Sequence, residues 1–234
     1  MTTRKIKHQV LELFTEHDLE TIRAELDNLP PKAVVNALFP LICRDDPALR
    51  WPAIICMGEA ITRLAEQDLE EARIIMRRFL WSLNDESGGI GWGAPESMAE
   101  TMCRQPRMAT EYIHMLVSYL REDGDELYQD GNYLEHPLLQ RGLLWGVARV
   151  AECRPDLLHD QQAGPDILPY LEAPDPEIQA LAALAAGRLG LDAARPALLR
   201  LCDDNTTVSL YLREAMTATT VAAVARTALE ALAP

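Results

Sequence analysis

The chain has 234 residues, 48% of them hydrophobic and only 6% aromatic, with 22 basic against 36 acidic side chains and a formal net charge of −14. That length and apolar content suffice for a sizeable buried core, while the negative field repels nucleic acid and other polyanions. No apolar run approaches the roughly 20 residues that span a bilayer, and the N-terminus lacks the apolar stretch of a signal peptide, so no membrane insertion and a cytoplasmic location are expected.

The apolar periodicity predicts helices almost throughout. Residues 4–28 read as one or two short helices, with Asp18 as an N-cap and Leu19, Ile22 and Leu26 as a buried stripe. Helix pairs follow. Their first helices are expected near 31–42, 68–83, 106–121, 165–172 and 192–202, and their second helices near 47–65, 95–104, 137–152, 176–190 and 207–217. Pro52 is expected to bend the 47–65 helix or delay its start. On 68–83 the buried face is Leu69, Ala72, Met76, Phe79 and Leu83, which leaves Arg73, Arg77 and Arg78 on or beside the solvated side. An Ala-rich helix over 219–232 closes the chain.

Several of these elements are copies of one pattern. Placing Asp46-Pro47, His136-Pro137 and Asp175-Pro176 in register aligns Leu49, Leu139 and Ile178, then Ala53, Leu143 and Ala182, then Cys56, Gly146 and Ala185, then Ala60, Val150 and Leu189. Offsets of four, three and four trace one helix face. Proline at the first helical position wastes no hydrogen bond, and the residue before it can cap the free donors. Pro47, Pro95, Pro137 and Pro176 recur at intervals of 48, 42 and 39 residues, near the period of paired-helix solenoids. The Pro95 copy is the weakest, its apolar set beginning one residue late at Met98 and Met102.

Residues 175–204 carry the pattern most fully, as a helix, a Gly-marked turn and a second helix, and they resemble a HEAT repeat of the kind found in the PBS lyase HEAT-like family. That resemblance implies an all-α fold, a right-handed α-solenoid of about five HEAT-like helix pairs. Residues 1–30 would form an N-terminal cap, 31–218 the repeats and 219–234 a capping helix, because single repeats cannot bury their apolar faces without neighbours.

Two connections are long, residues 84–94 and 122–135, and both join the first helix of a pair to its second. In a regular solenoid they emerge from one edge on adjacent repeats, where such scaffolds commonly bind. The first holds Gly88, Gly89, Gly91 and Gly93 around Trp92, with Asp85 and Glu86 beside them and Glu96 just beyond. Glycine permits positive φ and close approach, while Trp92 offers either a contact surface or a plug over helix ends. The Gly-x-Gly-x-Gly string lacks the preceding strand and following Gly-Lys-Ser/Thr of a phosphate loop. The second connection interleaves Tyr128 and Tyr133 with acids up to Glu135 and His136, without the ligand spacing of a calcium loop.

Other chemistry is poorly supported. Cys43, Cys56, Cys103, Cys153 and Cys202 form no Cys-x-x-Cys and read as reduced, small core residues. His8, His17, His114, His136 and His159 show no metal-ligand spacing, and Glu16-His17 and Glu135-His136 reverse the His-Glu order of di-iron HEAT-repeat hydroxylases. No metal ligands, cofactor or catalytic residues are therefore assigned. The expected function is a non-enzymatic scaffold that binds a protein or peptide, basic or rich in hydrogen-bond donors. Its contacts would be the concave face and the loop edge formed by Asp85, Glu86, Trp92, Glu96, Tyr128, Tyr133, Glu135 and His136. The competing reading is a cofactor-handling enzyme or chaperone, like the bilin lyases, in which the same Gly-Trp edge closes over the ligand. A desolvated carboxylate in a deep pocket beneath Trp92 would favour it.

Overall fold

The computed structural model describes residues 3–84, 91–122 and 132–233, which fall into two compact units divided between Met108 and Ala109. Unit 1 begins with α1 (Thr3–Glu16) and α2 (Leu19–Asp27). The Asp18 carboxylate caps α2 by accepting from the Thr21 amide at 2.9 Å, and this bond lowers its pKa. Next come α3 (Pro31–Ile42), α4 (Pro47–Gln67), α5 (Leu69–Leu83) and α6 (Ala94–Arg104).

The centre of unit 1 is α4, which packs against α3, α5 and α6. Surrounded in this way, it buries side chains from Trp51 to Ala65 on more than one face. Helix α4 starts at Pro47 in spite of Pro52, which lies in its second turn and costs one hydrogen bond to the Ala48 carbonyl. Gly58 brings α4 and α6 close together. A β-carbon there would lie 2.6 Å from Glu100 Cβ and 2.9 Å from the Glu100 carbonyl carbon. Arg63 of α4 reaches the C-terminal turn of α2 and donates to the Leu26, Asp27 and Leu29 carbonyls at 3.0, 3.1 and 2.8 Å, which satisfies groups the helix itself leaves open.

Helix α7 (Pro106–Ser118) carries the division between the units. Unit 2 continues with α8 (Pro137–Cys153), α9 (Pro155–Asp160) and α10 (Gly164–Ile167), the last running into a 3-10 segment, Leu168–Glu172. Then follow α11 (Pro176–Arg188), a 3-10 turn Asp192–Ala194 and α12 (Arg195–Leu201). Strands β1 (Thr207–Leu212) and β2 (Ala215–Thr220) precede α13 (Val221–Ala231). Here the central helix is α11, packed against α8 and α13. Gly187 permits the α13 contact, since a β-carbon would sit 2.7 Å from Ala228 Cα.

The repeated helix starts form as the sequence predicts. Asp46 accepts from the Ala48 amide at 2.9 Å, His136 Nδ1 from Leu138 at 3.2 Å, and Asp175 from Glu177 at 2.9 Å and Ile178 at 3.3 Å. Of the aligned apolar positions, Ala53, Leu143, Ala182, Cys56, Ala185, Ala60, Val150 and Leu189 are buried. The first position differs between copies: Ile178 is buried, whereas Leu49 and Leu139 are half-exposed. A side chain in the first turn of a helix points towards its open N-terminal end, where the cover depends on neighbouring elements.

Two expectations need correction. Residues 207–217 are not a helix; β1 and β2 form an antiparallel hairpin in which Leu212 pairs with Ala215 and Thr207 with Thr220. Val208, Leu210 and Leu212 alternate with Ser209 and Tyr211 in a period of two, Thr207, Val208 and Tyr211 favour a strand, and the turn places Arg213 and Glu214 at φ 50° and 63°. The indole Nε1 of Trp145 in α8 donates to the Tyr211 carbonyl at 2.7 Å and fixes β1 in place. The second correction concerns cysteine: Cys43, Cys56 and Cys202 are free thiols, but Cys103 and Cys153 are not.

Two substitutions test this packing. Leu143→Ala, at a fully buried position, should lower the urea-unfolding free energy by about 2–5 kcal/mol. Gly58→Ala gains roughly 1 kcal/mol of helix propensity and should still destabilise, because α4 and α6 must separate to admit the methyl group. A Gly58→Ala protein with a raised unfolding midpoint would contradict the close approach.

Candidate functional site

In unit 1 the Gly-Trp segment is described from Gly91 onward, and Asp85 and Glu86 lie outside the described residues. Gly93 is the N-cap of α6, at φ +75°, and a β-carbon on it would come within 2.5 Å of the Ile42 carbonyl oxygen. Trp92 is half-exposed, and its carbonyl accepts from the Cys43 thiol at 3.5 Å, which ties the segment to the end of α3. Glu96 is only 4% exposed, so its carboxyl does not present to a partner, contrary to the expectation for this residue. The α6 helix is buried on all sides from Ala94 to Met102, and its period carries Glu96, Ser97, Glu100 and Thr101 inward.

These buried polar groups are satisfied unequally. Thr101 donates to the Ser97 carbonyl at 2.8 Å, and Glu100 pairs with Arg104, whose guanidinium also reaches Glu59 at 3.0 Å. Glu59 in turn pairs with Arg23 at 3.0 Å, linking α2, α4 and α6. By contrast, Glu96 Oε2 and Ser97 Oγ have no hydrogen-bond partner among the described residues. Burial pushes the Glu96 carboxyl pKa up, and the charge of Arg50 opposes this. Burial also raises the Cys43 thiol, Glu96 adding to the effect and Arg78 opposing it. Cys43 is therefore held as a thiol rather than the thiolate that nucleophilic chemistry needs. The Arg78 guanidinium stacks 3.5 Å from the Phe39 ring centroid.

In unit 2 the described part of the second connection resumes at Asn132, leaving Tyr128 outside it. The segment is held by bonds from Asn132 Nδ2 to Ser118 Oγ at 3.1 Å and from the Leu134 amide to the Tyr119 carbonyl at 3.3 Å. Tyr133 is half-exposed, and its hydroxyl accepts from Gln140 Nε2 at 3.1 Å. Glu135 and His136 are exposed, and His136 serves as the cap of α8. Tyr133 stands on one wall of an open cleft of about 320 Å³, together with Tyr170, Pro165, Pro169 and Glu122. The Tyr170 hydroxyl donates to the Leu120 carbonyl at 3.0 Å, and burial first, then the neighbouring Tyr133, pushes its phenol pKa up. Arg121 and Asp166 also line the cleft and pair with each other at 2.9 Å.

Sequence reasoning did not single out Trp81, which is 64% exposed. The signal was present, since Trp81 falls off the apolar stripe of α5 and next to Leu80 and Ser82. Among the described residues no cluster of His, Cys, Asp and Glu has metal-binding geometry, and no helix is long and apolar enough to cross a membrane.

No family model and no curated protein matches this chain. Solved structures do. An engineered protein from a structural genomics consortium superposes with a TM-score of 0.53 at 16% identity, over 99% of this chain and 97% of that one. A second engineered protein gives 0.53 at 16%, over 97% and 98%. A designed armadillo repeat protein in complex with the peptide (KR)4 gives 0.50 at 17%, over 96% and 98%. The fold is that of a helical-repeat solenoid. At these identities the likeness establishes architecture only.

Glu96 supplies a test of the unit 1 arrangement. Its pKa in the folded protein lies above the ordinary 4.5, so as pH rises past that value the unfolded chain loses this proton while the folded protein still holds it. Stability contributed by the neutral carboxyl should therefore decline from about pH 4.5 up to the folded-state pKa. Glu96→Gln, neutral at every pH, should remove that part of the decline, as read by urea unfolding between about pH 4 and pH 8. Parallel pH profiles for the two proteins would contradict a desolvated carboxyl.

Proposed function

We propose that the protein is a non-enzymatic HEAT-type scaffold that binds a peptide, with Tyr133 as its aromatic anchor. The observation that carries this reading is the Tyr133 cleft, which combines a half-exposed aromatic ring, proline walls and the exposed acid Glu122 within a volume suited to one or two side chains. Glu135 and His136 continue the same segment, and the acidic balance of the chain favours a basic partner. The designed armadillo protein of similar fold is itself complexed with an alternating Lys-Arg peptide, which supports this kind of ligand. On unit 1, the half-exposed Trp92 with Asp85 and Glu86 is a further candidate contact of the same chemistry. A cytoplasmic setting fits a protein of this kind.

One observation favours the second reading, a small-molecule enzyme or cofactor chaperone: Glu96 is the desolvated carboxyl such chemistry would use. Glu96 is enclosed within α6, whereas Tyr133 stands on an open cleft, so the peptide reading stands first.

A fluorescein-labelled octapeptide of alternating lysine and arginine, titrated and followed by anisotropy, tests the proposal. Tyr133→Ala should weaken binding by about 1–2 kcal/mol, as truncated aromatic anchors do, with an unfolding midpoint close to that of the parent. Absence of binding to the parent protein, or equal binding by Tyr133→Ala, would exclude the Tyr133 cleft as the site.

A further inference from the structure

We propose that the outer edge of β2 is a separate docking site, which takes an extended acidic peptide as a third strand. Among the described residues β1 and β2 form a sheet of two strands, and the exposure of Ala215 to Ala218 leaves the outer edge of β2 open. The register decides which groups face outward. The two-residue turn makes Leu212 and Ala215 a hydrogen-bonded pair, and the bond from the Val221 amide to the Thr206 carbonyl at 3.1 Å keeps the same phase at the far end. Met216 and Ala218, between these pairs, therefore turn their amides and carbonyls away from β1. Neither makes a backbone bond outside the hairpin among the described residues.

Natural edges are usually guarded by charge, proline or cover. Strand β2, Ala-Met-Thr-Ala-Thr-Thr, carries no charge and no proline, and Ala215 to Ala218 are exposed. Beside it opens a cleft of about 500 Å³, walled by Thr217 of β2, Leu212, Leu184 of α11 and Ala228 of α13. The face that holds Thr217 is the face of its partner Leu210, so a residue paired opposite Thr217 would direct its side chain to the cleft side. Main-chain pairing and a side-chain pocket on alternate positions are the two components of strand addition.

Charge selects the occupant. The charged residues on the cleft are Arg188 and Arg213, in a chain whose net charge is −14. Arg188 is held in place by its bond to the Ala148 carbonyl at 2.8 Å and its pair with Glu152 at 3.1 Å. Arg213 is exposed at the turn, beside Glu214. An acidic side chain on the added strand gains a partner there, and a basic one meets repulsion. This preference is opposite to that of the Tyr133 cleft, and the two sites are independent.

The test uses fluorescein-labelled octapeptides of alternating valine and threonine, one with a central glutamate and one with lysine in its place. The glutamate peptide should bind, and the lysine peptide about tenfold less tightly. Ala218→Pro removes an outward donor without touching the bonds to β1, and should weaken the glutamate peptide about tenfold at an unchanged unfolding midpoint. Arg213→Asn, which suits the positive φ of the turn, should abolish the preference for glutamate. Tyr133→Ala should leave every one of these values unaltered. Equal binding of both peptides, or full binding by Ala218→Pro, would overturn the proposal. So would a dimer in sedimentation that Ala218→Pro dissociates, because the edge would then belong to a second copy of the chain.

Discussion

Close backbone approach at two glycines underlies the packing within each unit. Gly58 lets α4 meet α6, and Gly187 lets α11 meet α13, at separations that exclude even a methyl group. Gly58 lies in the interior of α4, where it costs about 1 kcal/mol in helix propensity relative to alanine, and Gly187 lies in the last turn of α11. The return is a dense contact between neighbouring helices. In unit 2 the surrounding residues are themselves small, Ala182, Ala183, Ala185 and Ala186 on α11 and Ala225 and Ala228 on α13, and all are buried. An Ala-rich helix has too little side chain to fill a wide gap, so its core forms only where backbones come together.

The arginines explain how an acidic chain folds without internal repulsion. Arg63, Arg188, Arg195 and Arg226 each donate to main-chain carbonyls, at distances of 2.6 to 3.1 Å, and several of those carbonyls close the ends of helices. Arg23 and Arg104 converge on Glu59, and Arg104 also neutralises the buried Glu100. Much of the positive charge is thus committed to internal contacts, which leaves excess carboxylates on the surface. Desolvation costs follow the same logic. Arg188 is pulled below the ordinary guanidinium pKa by burial and recovered in part by Glu152. Burial raises the pKa of Glu96 against the charge of Arg50, and so favours its neutral form.

Two clefts among the described residues of unit 2 differ in character. The Tyr133 cleft combines aromatic and proline walls with Glu122 and the Arg121–Asp166 pair, whereas the cleft beside β2 is walled by aliphatic and small residues with Arg188 and Arg213. An aromatic face with nearby acids suits a cationic side chain, by ring contact as well as by charge. An open strand edge near arginine suits the reverse.

The helical character, the helix starts and most of the buried positions follow from the sequence itself. Asp46-Pro47, His136-Pro137 and Asp175-Pro176 act locally: proline fixes φ, and the residue before it satisfies the first donors whatever the rest of the chain does. The four-three-four spacing likewise fixes which residues turn inward, as the burial of Ala53, Leu143 and Ala182 shows. Helix α9, absent from the expected elements, is too short for that periodicity to mark. Tertiary contacts decided the rest. The hairpin at 207–220 was readable in its alternation, but it holds its place through Trp145 and turns on Arg213 and Glu214, neither a usual residue at positive φ. Exposure at the candidate site was not legible at all. Trp92, Glu96 and Tyr133 look alike in a sequence as polar or aromatic residues near a connection, yet Glu96 is enclosed and the two aromatics are half-exposed. The reason is that α6, packed against α4 and α5, is buried from Ala94 to Met102, and periodicity records which face of a helix is apolar, not how many neighbours surround it.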